Sequence, residues 1–177
     1  RLRKGRGERY NMGMEFQARQ ATAAQADILG RIHAASWQAA YEGIVPEAER
    51  QRFTPEQRAK IWSDFLPGCT QECYLFFCDG QPYGLAMLAH SHEEGAPQDE
   101  GEVYAFYMHP SVWGTPATNW AFLFCLQRLK NMGYRSAVVW VLEENRRARR
   151  FYEKYGFSSE GVYQQIEIGT KLWEMRY

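Results

Sequence analysis

The residues of this 177-residue chain that could do chemistry fall into a few groups. Thr115-Pro116-Ala117-Thr118 reads as a helix start, with Thr115 as N-cap and Pro116 at the first helical position. The free backbone N–H groups of such a start attract anions. Ala148, Phe151, Tyr152 and Tyr155 follow helical spacing and define a buried stripe. That stripe is ordinary core packing, except that a buried tyrosine hydroxyl must find a polar partner. His33, Trp37 and Tyr41 recur at i, i+4 and i+8 beside the apolar face of an earlier helix. They either pack against the next helix or line a pocket. His90 and His92 sit at a strand end or in a loop with no third metal ligand in view. Cys69 and Cys73 form a C-x3-C pair that no second pair follows, so the four cysteines, with Cys78 and Cys125, are expected to be structural thiols and no metal site is expected.

The elements that must position these groups follow from periodicity and caps. Residues 14–19 read as a short strand. Thr22 with Gln25 forms a capping box that opens a helix to about Tyr41, with Ile28, Leu29, Ile32, Ala35, Ser36 and Ala39 on one face. The loop EGIVP ends it. Thr54-Pro55-Glu56-Gln57 starts a second helix carrying Ile61, Trp62, Phe65 and Leu66. CYLFFC, the Asp79-Gly80 turn and PYGLAMLAH predict a β-hairpin, and a polar loop runs from Ser91 to Gly101. A strand (102–109), a helix (116 to about 131), a strand (136–142) and a helix from the cap Asn145 to Gly156 then follow, and two strands near 162–168 and 171–177 close the chain. The strand–helix–strand crossover implies parallel neighbours, with a ligand at the carboxyl end of its first strand and the amino end of its helix.

Composition narrows the classes. At 45% hydrophobic and 24% charged, the chain fits one globular domain. RLRKGRGERYNMG, residues 1–13, is read as a flexible extension or remnant, leaving a single domain over 14–177. The chain holds 21 basic and 21 acidic residues, but the first thirteen carry five basic groups and one acid. The body is therefore net −4, with no basic field for nucleic acid. The longest apolar run, WAFLFCL at 120–126, is too short to span a bilayer, and no signal-peptide pattern opens the chain. A cytoplasmic, reducing setting with neither membrane nor nucleic-acid partner is expected, and a homodimer remains open.

Residues 145–157, NRRARRFYEKYGF, are similar to the N-x-x-A-x-x-F-Y-x-x-x-G-F signature of the GNAT superfamily of N-acetyltransferases. SWQAAYEGIVP (36–46), EVYAFYMHP (102–110) and the element order resemble the family too. The resemblance implies an α/β fold of α+β type: a mixed, mostly antiparallel central sheet of about six to seven strands flanked by helices, with a βαβ crossover at the cofactor site. It implies transfer of an acetyl group from acetyl-CoA, as co-substrate, to a primary amine of a small molecule or peptide. Tyr152 then matches the family tyrosine that protonates the departing thiolate, a role that a phenol of reference pKa about 10 can fill at neutral pH. An alkylammonium of pKa about 10.4 needs a base before it can attack. The resemblance points to Glu102 for that role, with His109 as runner-up. It also places Trp37 and Tyr41 at the acceptor, and Met108 and Asn145 at the cofactor; Glu42 reads as a solvated loop carboxylate or as a charge that draws in a cationic amine.

The family binds the CoA pyrophosphate with a Q/R-x-x-G-x-G/A loop. The matching residues are Trp113, Gly114, Thr115, Pro116, Ala117 and Thr118, and they differ at Trp113, Pro116 and Thr118. Proline has no N–H, so one donor is lost. Ala117 and Thr118 still present theirs, Thr118 could add a hydroxyl, and the inner edge of the arginine group at 146, 147, 149 and 150 could reach phosphate. Arg149 and Glu153 are spaced to pair at i, i+4. The alternative is a domain of the same fold that serves as a non-catalytic CoA sensor or interaction module.

Overall fold

A computed structural model describes residues 13–177; the expected extension at residues 1–13 falls outside it but for Gly13. The strands are β1 (Phe16–Gln20), β2 (Glu72–Cys78), β3 (Gln81–His90), β4 (Glu100–Met108), β5 (Ser136–Val138), β6 (Trp140–Leu142), β7 (Tyr163–Glu167) and β8 (Lys171–Arg176). The helices are α1 (Ala26–Ala40), α2 (Glu47–Arg52), α3 (Pro55–Phe65), α4 (Pro116–Asn131) and α5 (Arg146–Lys154). The fold is mixed α/β with a mostly antiparallel sheet, as expected.

Two details depart from the sequence reading. Residues 136–142, read as one strand, are two short ones. β5 pairs in parallel with β4, closing a five-stranded sheet ordered β1-β2-β3-β4-β5. β6 pairs instead with β8 in a second sheet ordered β6-β8-β7. Val139, between them, exchanges two backbone hydrogen bonds of 3.0 Å with Tyr177. Beyond this point β4 and β6 diverge. The second departure is α2, a short helix over residues that the sequence assigned to no element.

The helices cover both faces of the sheets. On one face α4 and α5 pack through Phe122, Cys125, Leu129, Phe151 and Tyr152 onto Phe76, Leu88, Phe106 and Met108. On the other, α1 and α3 lie over Leu75, Phe77, Leu85 and Ala105. α1 can approach α3 closely because Gly30 stands where a Cβ would meet the Ala59 nitrogen and the Pro55 carbonyl at 2.5 Å. Thr54 caps α3 as expected, accepting from the Gln57 N–H at 3.2 Å. Arg128 clamps α4 to β2 through a bidentate bond to Glu72, both contacts 2.6 Å.

A bulge in β4 decides which of its side chains share a face. Met87 pairs with Ala105 but Leu88 pairs with Val103, so Tyr104 is an inserted residue. Side chains alternate along a strand, and a one-residue insertion reverses that alternation. Val103 and Phe106 therefore both face the α4 side. Glu102 and Tyr107, five residues apart, fall together on the α1 side.

Candidate functional site

Where β4 and β6 part, three phenols from distant segments come together. Tyr41 ends α1, Tyr107 lies near the end of β4, and Tyr152 lies on α5. None of their hydroxyls has a hydrogen-bond partner among the described residues. Among the described residues five other tyrosines do, while Tyr134 and Tyr163 do not: Tyr74 bonds Glu72, Tyr83 the Ala117 carbonyl, Tyr104 the His90 carbonyl, Tyr155 Asn119 and Tyr177 Glu153. None of the three oxygens is among the buried atoms left without a partner, so each opens to solvent and can meet a polar ligand there. Burial holds all three phenols protonated. Tyr107 is pushed up to about 12 by burial and then by the Glu174 carboxylate, with Arg58 pulling the other way. Tyr152 is raised by burial and by its neighbours Tyr107 and Cys125, and Tyr41 by burial, Tyr107, Tyr152 and Glu174.

The start of α4 is the second part of the site. Gly114 has φ +73°, a left-handed conformation that suits glycine and turns the chain into the helix. Thr115 has the extended backbone of an N-cap, but its hydroxyl donates to the Val112 carbonyl at 2.7 Å instead of capping the helix. The Thr118 hydroxyl makes the same bond at 2.7 Å, so it too is turned away from the helix mouth. The N–H groups of Gly114, Ala117 and Thr118 consequently have no protein acceptor among the described residues. Trp113 donates its indole N–H to the Met108 carbonyl at 2.9 Å, and the guanidinium of Arg147 lies over its ring, 4.8 Å from the centroid. A positive charge from α5 thus stands beside the loop at the position where the family pattern has Gln or Arg.

The remaining sequence candidates hold varied positions. Glu102 is only 3% exposed, and its Oε2 accepts from the His92 backbone N–H at 3.1 Å and meets His92 Nδ1 at 2.7 Å. No hydrogen bond among the described residues engages Oε1. His109 caps the turn after β4, its Nδ1 accepting from the Ser111 N–H at 3.2 Å and lying 2.7 Å from the Ser111 hydroxyl. It is exposed and tied to that turn. Asn145 caps α5 by accepting from the Ala148 N–H at 3.2 Å, and Met108 is buried. Trp37 is 6% exposed and stacks on Phe53 at 3.9 Å, with Tyr41 edge-on at 4.9 Å, so the helical stripe both packs and, at its end, reaches the phenol group. Glu42 is exposed. His90 bonds the carbonyls of Ser91 and Pro97. Arg149 does not pair directly with Glu153 as its spacing predicted: it donates to the Tyr177 hydroxyl at 3.0 Å, which in turn donates to Glu153 at 2.9 Å. The four cysteines are free thiols. Among the described residues no trio of His, Cys, Asp or Glu is grouped to hold a metal, and no helix is long and apolar enough to cross a membrane.

Tyr107, Arg58 and Glu174 were not reached from the sequence. Arg58 lies over the Phe53 ring at 3.8 Å, and His33 stacks on Tyr107 at 4.2 Å. They come from α3, β4 and β8, and no local spacing connects them.

Comparison with known proteins fits this geometry. Residues 37–157 match the family model described as the acetyltransferase (GNAT) family. Among solved structures, the chain is similar to a PaiA N-acetyltransferase from Thermoplasma acidophilum in complex with coenzyme A, at 18% identity and TM-score 0.68, covering 92% of this chain and 98% of that one. It is also similar to an acetyltransferase of the GNAT family from Streptococcus pneumoniae (16% identity, TM-score 0.61, 92% and 98% covered) and to an acetyltransferase from Thermus thermophilus (16%, 0.61, 92% and 96%). No curated protein sequence matches it significantly.

Proposed function

We propose that this chain, which belongs to the GNAT family of acetyltransferases, moves an acetyl group from acetyl-CoA to a primary amine by direct attack. The observation that carries the reading is the group of unpartnered phenols at the parting of the sheets, next to a helix start with free donors. The N–H groups of Gly114, Ala117 and Thr118, with Arg147 beside them, suit the CoA pyrophosphate. The amine nitrogen attacks the thioester carbonyl carbon, a C–N bond forms, and the C–S bond breaks. Tyr152 gives its proton to the sulfur as the thiolate leaves. The proton lost by the amine passes through water to Glu102, whose free Oε1 shares the α1 face of β4 with Tyr107. Acetyl-CoA turnover with a panel of amines tests the reading. Tyr152→Phe should lower kcat by about 10²- to 10⁴-fold while the protein stays folded, as general-acid groups typically contribute that much. An unchanged rate removes Tyr152 from the chemistry.

A second reading is favoured by one residue. Pro116 deprives the helix start of a donor, and a hydrogen bond to a charged group is worth about 1.5–3 kcal/mol. A domain so weakened would act as a CoA sensor or an interaction module. Calorimetry with acetyl-CoA separates the two. Pro116→Gly should tighten binding by about tenfold or more if that donor matters, and absence of binding at millimolar acetyl-CoA would favour the module.

A further inference from the structure

We infer that the acceptor carries an anionic group, a carboxylate in the simplest case, held by Arg58, while its amine lies toward Glu174. The proposal deepens the acetyl-transfer reading and rests on it for the identity of the site.

Arg58 and Glu174 are both half-buried, yet neither has an ion-pair partner among the described residues. Withdrawing a charge from water without a partner is costly, so unpaired charges in such places are unusual. The Arg58 guanidinium lies over Phe53, 3.8 Å from the ring centroid, its Nε is buried without an acceptor, and its one hydrogen bond among the described residues is to the neighbouring Gln57 at 3.1 Å. Phe53 is fixed from behind by Trp37 and His33. The guanidinium is thus oriented, partly dehydrated and still short of an anion, the state in which a planar fork best grips a carboxylate.

Glu174 is held on the opposite wall. It faces Leu142 across the β6–β8 ladder and accepts from Gln164 Nε2 at 2.7 Å. Leu142 and Leu172, which flank it, pack into the same cluster as Trp37, Tyr41, Phe53 and Tyr107. Tyr107 packs in that cluster with Phe53, over which Arg58 lies, and with the leucines that flank Glu174, and the two charges act on its phenol in opposite senses. A cation and an anion that do not meet each other, both acting on a phenol with a free hydroxyl, complement a zwitterion. A simple amine or a polyamine would satisfy the glutamate and leave the arginine unpaired.

The test compares the standard L-amino acids with amines of the same side chain but no carboxylate: phenethylamine, isopentylamine and methylthiopropylamine against phenylalanine, leucine and methionine. Turnover with acetyl-CoA and calorimetric binding to the CoA-loaded protein are both measured. At least one amino acid should be favoured over its decarboxylated partner by about 10- to 100-fold in kcat/KM or Kd, the range of a charged hydrogen-bonded contact. Arg58→Gln should collapse that ratio toward one, mainly through KM, and Arg58→Lys should leave it intermediate. Glu174→Gln should weaken both members of each pair. Thermal midpoints identify any variant that has not folded, and Arg58→Lys then carries the test. Amino-acid preference in binding without turnover would support the anion subsite and overturn acetyl transfer. Turnover of amines at equal efficiency with and without the carboxylate, or a ratio unmoved by both Arg58 variants, overturns the anion subsite and leaves acetyl transfer standing. Failure of every amino acid in both assays overturns the subsite as well.

Discussion

The indole N–H of Trp62 points at Nδ1 of His33 across 3.2 Å. Because an indole can only donate, Nδ1 must accept, and the neutral ring keeps its proton on Nε2. Burial and the nearby Arg58 push this histidine down to about 3. Between about pH 6.5 and about 3 the unfolded chain therefore binds a proton that the folded chain refuses, and stability falls with acid across that window. Going from pH 7 to pH 5 should cost about 1–2 kcal/mol through this residue, at 1.36 kcal/mol per pH unit once the unfolded histidine is charged. Urea titrations of the parent and of His33→Gln at the two pH values check this, and equal acid losses in both proteins would refute it. At this scale the sequence was partly legible. Tyr152 announced itself through its spacing and the family signature. Arg58, Tyr107 and Glu174 did not, because each looks locally like a surface arginine, a strand aromatic and an exposed strand carboxylate. Only their convergence from three segments gives them meaning.

At the scale of elements, α4 shows how a departure from a pattern can be offset elsewhere. Trp113 stands where the family pattern has a polar or basic residue, and Arg147 reaches over it from α5. Arg147→Gln should weaken acetyl-CoA affinity by about tenfold, with the loss shrinking at high salt, since an exposed cation acts through a screened field. Calorimetry at two ionic strengths reads both effects, and an unchanged Kd at low salt would exclude Arg147 from the phosphate site. Helix starts were legible because Thr54-Pro55 and Thr115-Pro116 are strong local signals. The hydrogen bonds of Thr115 were not, since a hydroxyl that can cap a helix can equally turn back to the Val112 carbonyl. α2 was missed because its six residues, EAERQR, carry no apolar period. The break in the strand at 136–142 was hidden for the opposite reason: SAVVWVL is apolar nearly throughout, and where it changes partner depends on β8, far along the chain.

At the scale of the whole molecule, the order of helices and strands could be read from the chain, but the division of its strands into two sheets could not. The second sheet shares a core with the first, Val141, Met175 and Tyr177 being buried with Phe76, Leu88 and Phe122, and Leu142 and Leu172 with Trp37, but the backbone link between the two is short. Besides the Val139–Tyr177 pair, Arg176 on β8 reaches Glu93, in the loop after β3, at 2.5 Å and Glu100 on β4 at 2.7 Å, and on its own side of the molecule Glu160 before β7. Removing one partner from such a half-buried network leaves its carboxylates uncompensated, at a cost of about 3–5 kcal/mol where burial is complete and less here.

That short backbone link at Val139 bears on how the protein opens. Amide hydrogens in the ladder of β6, β8 and β7 should exchange with deuterated solvent sooner than those of β2, β3 and β4, because they belong to a smaller cooperative unit with its own opening free energy. Arg176→Met should hasten exchange in β8 while leaving β2 and β3 nearly untouched; uniform exchange through both sheets would mean that they open as one. The two walls of the acceptor site, Arg58 with Tyr107 and Glu174 with Leu172, belong to different units in this sense. A molecule bound between them would slow exchange on both sides at once, so that the protection pattern itself reports occupancy.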